Sequence, residues 1–172
     1  MDATTESVAT QVACPLSLEQ QVDLMRLFHG VAYEARHTLS RALHRQDMTE
    51  AEFLLLWTCF RRAAKPVGQQ RLVFDVGLSK AQTSGLLESL RRKQYLSGAR
   101  SVDDRRKQLW QITSLGRQQV EEVLRHLDGN TGDWLAGLHP EVYRLLIQGL
   151  TDALAQASKS ESSLDLPRRE AA

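Results

Sequence analysis

The sequence predicts a mostly α-helical chain carrying one small β-hairpin, and three observations predict it. Apolar residues recur at steps of three and four along most of the chain, the spacing of one helix face. Two capping-box signatures, Thr49 with Glu52 and Ser79 with Gln82, stand where apolar stripes begin. Between residues 97 and 113 the helical period is lost, and SGARSVDDRRKQLWQIT reads as strand, charged turn, strand.

Residues 1–16 are small and polar, with Pro15 near their end, and are expected to form a flexible arm. From Leu18 the positions Val22, Met25, Phe28, Ala32, Ala35, Leu39 and Leu43 make one stripe, predicting a long helix over 17–45. The helix opened by Thr49 carries Phe53, Leu56, Trp57 and Phe60 and ends near Ala64, before a KPVG turn at 65–68. Leu72, Val73 and Val76 give the next short segment an apolar face, and Gly77 can take the left-handed conformation that stops a helix. Ser79 then caps a fresh helix with Thr83, Leu86, Leu87 and Leu90 inward. Two short helices split by a glycine turn are the helix-turn-helix signature. After the hairpin, Thr113 begins a helix striped by Val120, Val123, Leu124 and Leu127, and GNTG at 129–132 interrupts it. Pro140 opens a last helix lined by Val142, Leu145, Leu146, Leu150, Ala153 and Leu154. The polar residues 158–172 are expected to be disordered.

At 172 residues the chain suits one domain, or a domain with long terminal helices. The net charge of +1 conceals an asymmetry: residues 61–107 hold twelve Lys or Arg against four Asp or Glu, and the remainder holds ten against seventeen. A basic middle between acidic ends suits a polyanionic partner. No apolar run reaches the ~20 residues that span a bilayer, and the N-terminus lacks a signal-peptide pattern. No membrane partner and a cytoplasmic location are therefore expected. Cys14 and Cys59 are too few for a disulfide framework or zinc module, and the five histidines form no ligand pattern. No metal or cofactor is expected. No Gly-x-Ser-x-Gly, phosphate-binding loop or metal-ligand pair points to an enzyme.

The order of elements, with DDRRKQLWQITSLG at 103–116, resembles the MarR family of winged-helix regulators. The family's wing signature is Asp, any residue, Arg, five residues, Leu-Thr, two residues, Gly; Asp104, Arg106, Ile112, Thr113 and Gly116 occupy those positions, with Ile for Leu. RLVFDVGLSKAQTSGLLESLRRKQYL matches the helix-turn-helix and the approach to the wing. The resemblance covers about residues 20–155. It implies a winged helix-turn-helix lobe over 49–113, with dimerisation helices over 17–48 and 114–157. It also implies a DNA-binding transcriptional regulator, most simply a repressor, acting as a homodimer on a pseudo-palindromic operator. Two positions depart from the family: Gly85 where many members carry arginine, and Gln94 where many carry glycine.

The residues support the same partner on their own chemistry. On the helix capped by Ser79, the apolar stripe leaves Ala81, Gly85, Glu88 and Arg92 outward, flanked by Lys80, Gln82, Ser84 and Ser89. Small residues let a helix sit deep in a major groove, where Gln and Ser can address base edges, and the N–H groups behind Ser79 suit a phosphate oxygen. In the wing, Arg105, Arg106 and Lys107 form the basic turn, and Asp104 can pair with Arg106 and hold it extended. A pre-ordered arginine at a hairpin tip suits a narrow, electronegative minor groove. The resemblance assigns Asp104 and Arg106 that arrangement.

The resemblance further implies release from DNA by a small aromatic or lipophilic effector; by position, Arg36, His37, Trp57 and Arg61 are its candidate wall groups. Two alternatives stay open: a redox-responsive regulator using Cys14, and a winged-helix adaptor that binds protein. For the first, Cys14 has no local cation to depress its pKa. For the second, Gly85 lacks the side chain that many relatives carry. Cys59, beside an apolar stripe, reads as inert packing.

Overall fold

In a computed structural model, residues 16–62, 65–101, 104, 107–128 and 137–163 are described, with side chains as far as Ala157 apart from that of Asp128. The described elements are α1 (Leu18–Leu43), α2 (Glu50–Arg61), β1 (Val67–Gly68), α3 (Gln69–Val76), α4 (Lys80–Arg92), β2 (Leu96–Arg100), β3 (Gln108–Ile112), α5 (Ser114–Asp128) and α6 (Pro140–Ser163). The chain divides into two units, Met1–His37 and Thr38–Ala172. The arm before Leu16, the GNTG interruption and the residues past Ser163 lie outside the described residues.

The N-terminal unit is represented by α1 up to His37. A third capping box opens it: the Ser17 N–H donates to Gln20 Oε1 at 2.9 Å, and the Gln20 N–H donates to Ser17 Oγ at 3.2 Å. Its apolar stripe is exposed, with Leu18 at 79% and Met25 at 66%.

The second unit holds the core. Both anticipated capping boxes form, at Thr49 with Glu52 and at Ser79 with Gln82. They satisfy N–H groups that a helix start would otherwise leave orphaned. Leu55 and Leu56 from α2, Leu72 from α3, Leu87 and Leu90 from α4, and Val120 and Val123 from α5 are fully buried together. Gly77, at φ 67°, ends α3 in the left-handed conformation, and its N–H donates to the Val73 carbonyl. That cap sets the turn between α3 and α4.

The expected turn at 65–68 is corrected in its second half. Val67 and Gly68 form β1, pairing with Trp110 and Leu109 of β3 in a three-stranded antiparallel sheet of order β1-β3-β2. Two residues carry too little local pattern to announce a strand; their pairing is made forty residues away. The inward positions of β3 are Trp110 and Ile112, two apart as a strand requires, while Leu109 is only half-buried. Gly98 stands opposite Trp110, and a Cβ there would come 3.1 Å from the indole edge.

Thr113 and Gly116 explain the end of the wing signature in physical terms. The Thr113 hydroxyl donates to the carbonyls of Gln94 (2.7 Å) and Tyr95 (3.2 Å), and accepts the Gly116 N–H at 3.0 Å. Thr113 thus caps α5 while clamping the junction where α4 passes into β2. Any Cβ at Gly116 would overlap the Tyr95 carbonyl. At the same junction Gln94 adopts φ 62°, a left-handed conformation that side chains disfavour.

The last helix continues to Ser163, past the expected limit of 157. Through Leu154 its large apolar side chains, including Leu145, Leu146 and Ile147, are exposed. Among the described residues no helix is long and apolar enough to cross a membrane.

Candidate nucleic-acid interface

The Ser79 box fixes the start of α4. The Gln82 N–H donates to Ser79 Oγ at 3.2 Å, while Ser79 N–H and Oγ donate back to Gln82 Oε1 at 3.2 and 2.9 Å. Gln82 remains exposed, but its carbonyl oxygen is committed to the cap. Ser84 is exposed; its hydroxyl donates to the Lys80 carbonyl at 2.8 Å and accepts from Gln69 Nε2 at 2.6 Å. Gln69, at the start of α3, was not singled out from the sequence, because its partner lies fifteen residues away. Lys80, Ala81, Gly85 and Arg92 are exposed, and a Cβ at Gly85 would meet nothing within 4 Å. α4 therefore presents a low-relief outward face, which a close helix approach needs.

Ser89 departs from its expected outward role. It is half-buried, and its hydroxyl donates to Glu52 Oε1 of α2 at 2.7 Å. The helical wheel put Ser89 on the flank; a buried carboxylate on another element turns its hydroxyl inward. Arg91, which the sequence reading did not select, is exposed and held by Glu88 through bonds of 2.6 and 2.9 Å.

In the hairpin, β2 and β3 pair in register from Leu96 with Ile112 to Arg100 with Gln108. Past the strands, the Ser101 N–H donates to the Lys107 carbonyl and the Lys107 N–H to the Asp104 carbonyl, each at 2.9 Å. Asp104 Oδ2 lies 3.7 Å from Lys107 Nζ, an exposed ion pair that water screens. Arg105 and Arg106 lie outside the described residues.

A cleft of about 440 Å³ joins these parts. Gly68, Gln69, Gln70 and Val73 line it from β1 and α3, Lys80 from α4, and Asp104, Lys107 and Gln108 from the wing. Two lysines, three glutamines and one aspartate contribute to its wall, between the helix-turn-helix and the hairpin.

Of the effector candidates, Trp57 and Arg61 come together, the guanidinium carbon 5.8 Å from the ring centroid. Trp57 also stacks on Phe60 at 5.5 Å, and the Arg117 guanidinium lies 5.9 Å from the Phe60 ring. Arg36 and His37 are exposed on α1 in the other unit. Cys59 is 2% exposed, and burial pushes its thiol up to about 12. Cys14 lies outside the described residues. Among the described residues no three His, Cys, Asp or Glu gather as a metal site.

No family model matches the sequence, and no curated protein matches it. Solved structures do. MepR of S. aureus, in a DNA-binding conformation, aligns with a TM-score of 0.68 at 19% identity, over 78% of this chain and 98% of that one. CouR of Rhodococcus jostii RHA1, bound to p-coumaroyl-CoA, gives 0.66 at 19% identity, over 81% and 96%. A MarR-family transcriptional regulator of Rhodococcus sp. RHA1 gives 0.65 at 20% identity, over 80% and 96%. The mostly helical chain, with its capped helix pair and three-stranded wing, has the winged helix-turn-helix fold of MarR-family regulators.

Proposed function

We propose that this chain is a MarR-type transcriptional regulator, a repressor that binds duplex DNA as a homodimer and is not an enzyme. One observation carries the reading: α4, with its low-relief face, and the basic hairpin flank one cleft to which Lys80 and Lys107 both contribute. A phosphate strand fits that cleft, between a helix in the major groove and a wing reaching the next minor groove. Gln69, Gln70 and Gln108 join Lys80 and Lys107 as backbone contacts there. Arg105 and Arg106 are assigned to the DNA as well, Arg106 to the minor groove with Asp104 supporting it.

The exposed apolar faces of α1 and α6 support a second copy of the chain as their cover, since contiguous exposed apolar surface marks an interaction site. Two symmetric copies read a pseudo-palindrome with half-sites about one helical turn apart. A small aromatic or lipophilic effector releases the DNA, with Trp57 and Arg61 on α2 as wall groups. The CouR structure supports effector control by holding an aromatic acyl thioester in the same fold. The protein is placed in the cytoplasm, with its DNA.

Selection of duplexes from a random-sequence library by the purified protein tests this reading. Enrichment of a two-fold symmetric motif, bound with a steep dependence on salt, is expected. Recovery of no motif, with binding equal on all duplexes, would overturn it.

A further inference from the structure

We infer that Glu52, Ser89 and Lys93 form a positioning device that sets the pose of the recognition helix α4; this rests on the DNA-binding reading above. Glu52 is a charged side chain only 4% exposed, although it lies in the first turn of α2. Burying a carboxylate is costly unless donors surround it. Here the donors come from two elements. The Thr49 N–H and hydroxyl donate to Oε2 at 2.9 and 3.2 Å from the N-cap of α2. From the end of α4, the Ser89 hydroxyl donates to Oε1 at 2.7 Å, and Lys93 Nζ lies 3.2 Å from both oxygens. Burial pushes the Glu52 carboxyl up, but Thr49, Ser89 and Lys93 outweigh it and hold the group below the usual carboxylate value.

The geometry does more than neutralise a charge. Ser89 and Lys93 are four residues apart, one helical turn, so two successive turns of α4 are pinned to a single carboxylate. Rolling or sliding α4 would strip donors from a buried anion, which opposes other poses of the helix. Lys93 Nζ also donates to the Asp47 carbonyl at 2.6 Å, in the loop between α1 and α2. The far side of that loop is held as well: Gln119 Nε2 donates to Gln46 Oε1, and the Tyr95 hydroxyl donates to Gln119 at 3.3 Å. A displacement of residues 44–49 is therefore felt at the recognition helix through Lys93. None of the three residues needs to touch DNA to govern how Gly85 and Arg92 meet it.

The test compares wild type, S89A, E52Q and the E52Q/S89A double variant. Each is titrated by fluorescence anisotropy, at one fixed salt concentration, on a wild-type-selected duplex and on a mixed-sequence duplex. Melting temperatures are recorded alongside. E52Q should weaken the selected duplex by about tenfold or more, the scale of a lost charge-assisted bond, while mixed-sequence binding holds or strengthens because an acid has gone. S89A, which removes one hydroxyl, should show the same selectivity to a smaller degree. The double variant should be no weaker than E52Q, because both substitutions break one network.

Additive losses in the double variant would put Ser89 on the DNA itself and overturn the inference. Equal losses on both duplexes, tracking the melting temperature, would reduce the cluster to a structural role and overturn it too. A wild type that distinguishes no duplex would instead defeat the functional reading on which the inference rests.

Discussion

Asp104 carries the residue-scale contrast between a read-out wing and a mere basic patch. If Asp104 supports Arg106 in the minor groove, Arg106→Ala should weaken binding by roughly 1–3 kcal/mol. Asp104→Ala should weaken it as well, although an acid next to phosphates has been deleted. Simple electrostatics predicts the opposite sign for the second variant. Anisotropy on one selected duplex at fixed salt decides; Asp104→Ala binding as tightly as wild type would leave only a basic patch. Cys59 offers a second residue-scale test. With its pKa raised to about 12, its thiol stays protonated throughout the neutral range, and the thiolate is the reactive species. Titration of folded protein with a thiol reagent near pH 8 should label no more than Cys14, and Cys59 only after unfolding.

At the scale of elements, the junction from α4 into the wing stores a strain and a clamp side by side. Gln94 holds a left-handed backbone that costs a side chain about 1 kcal/mol. Gln94→Gly should therefore raise unfolding stability by about that amount in urea denaturation. Gly116→Ala should act the other way, since its methyl would overlap the Tyr95 carbonyl; a loss of about 3 kcal/mol or more is expected. Local signals made most of these elements legible in advance. The Thr49 and Ser79 boxes are written within four residues, and Gly77 marks its own cap. β1 was not legible, because Val67 and Gly68 become a strand only by pairing with Trp110 and Leu109. Ser89 was misplaced for the same reason: its partner Glu52 is thirty-seven residues away, and a helical wheel contains no information about other elements. Lys93 and Gln69 went unnoticed likewise, since each draws its role from a residue on another helix.

For the whole molecule, apolar stripes that look like core in the sequence remain on the surface of the single chain. Leu18, Val22 and Met25 of α1, and Leu145, Leu146 and Leu154 of α6, are each at least 46% exposed. A second copy covering them should make the protein a dimer in solution, with a light-scattering mass twice the 19.4 kDa of one chain. Deleting residues 138–172 should produce monomers or aggregates, as α6 would no longer cover its partner.

The mass of the protein–DNA complex decides whether two copies read one duplex through α4 and the wing. Sedimentation equilibrium with a selected duplex should give a saturated complex holding two chains of 19.4 kDa per duplex. A complex that saturates with one chain, or a selected duplex that sediments free of protein at micromolar concentrations, would contradict it.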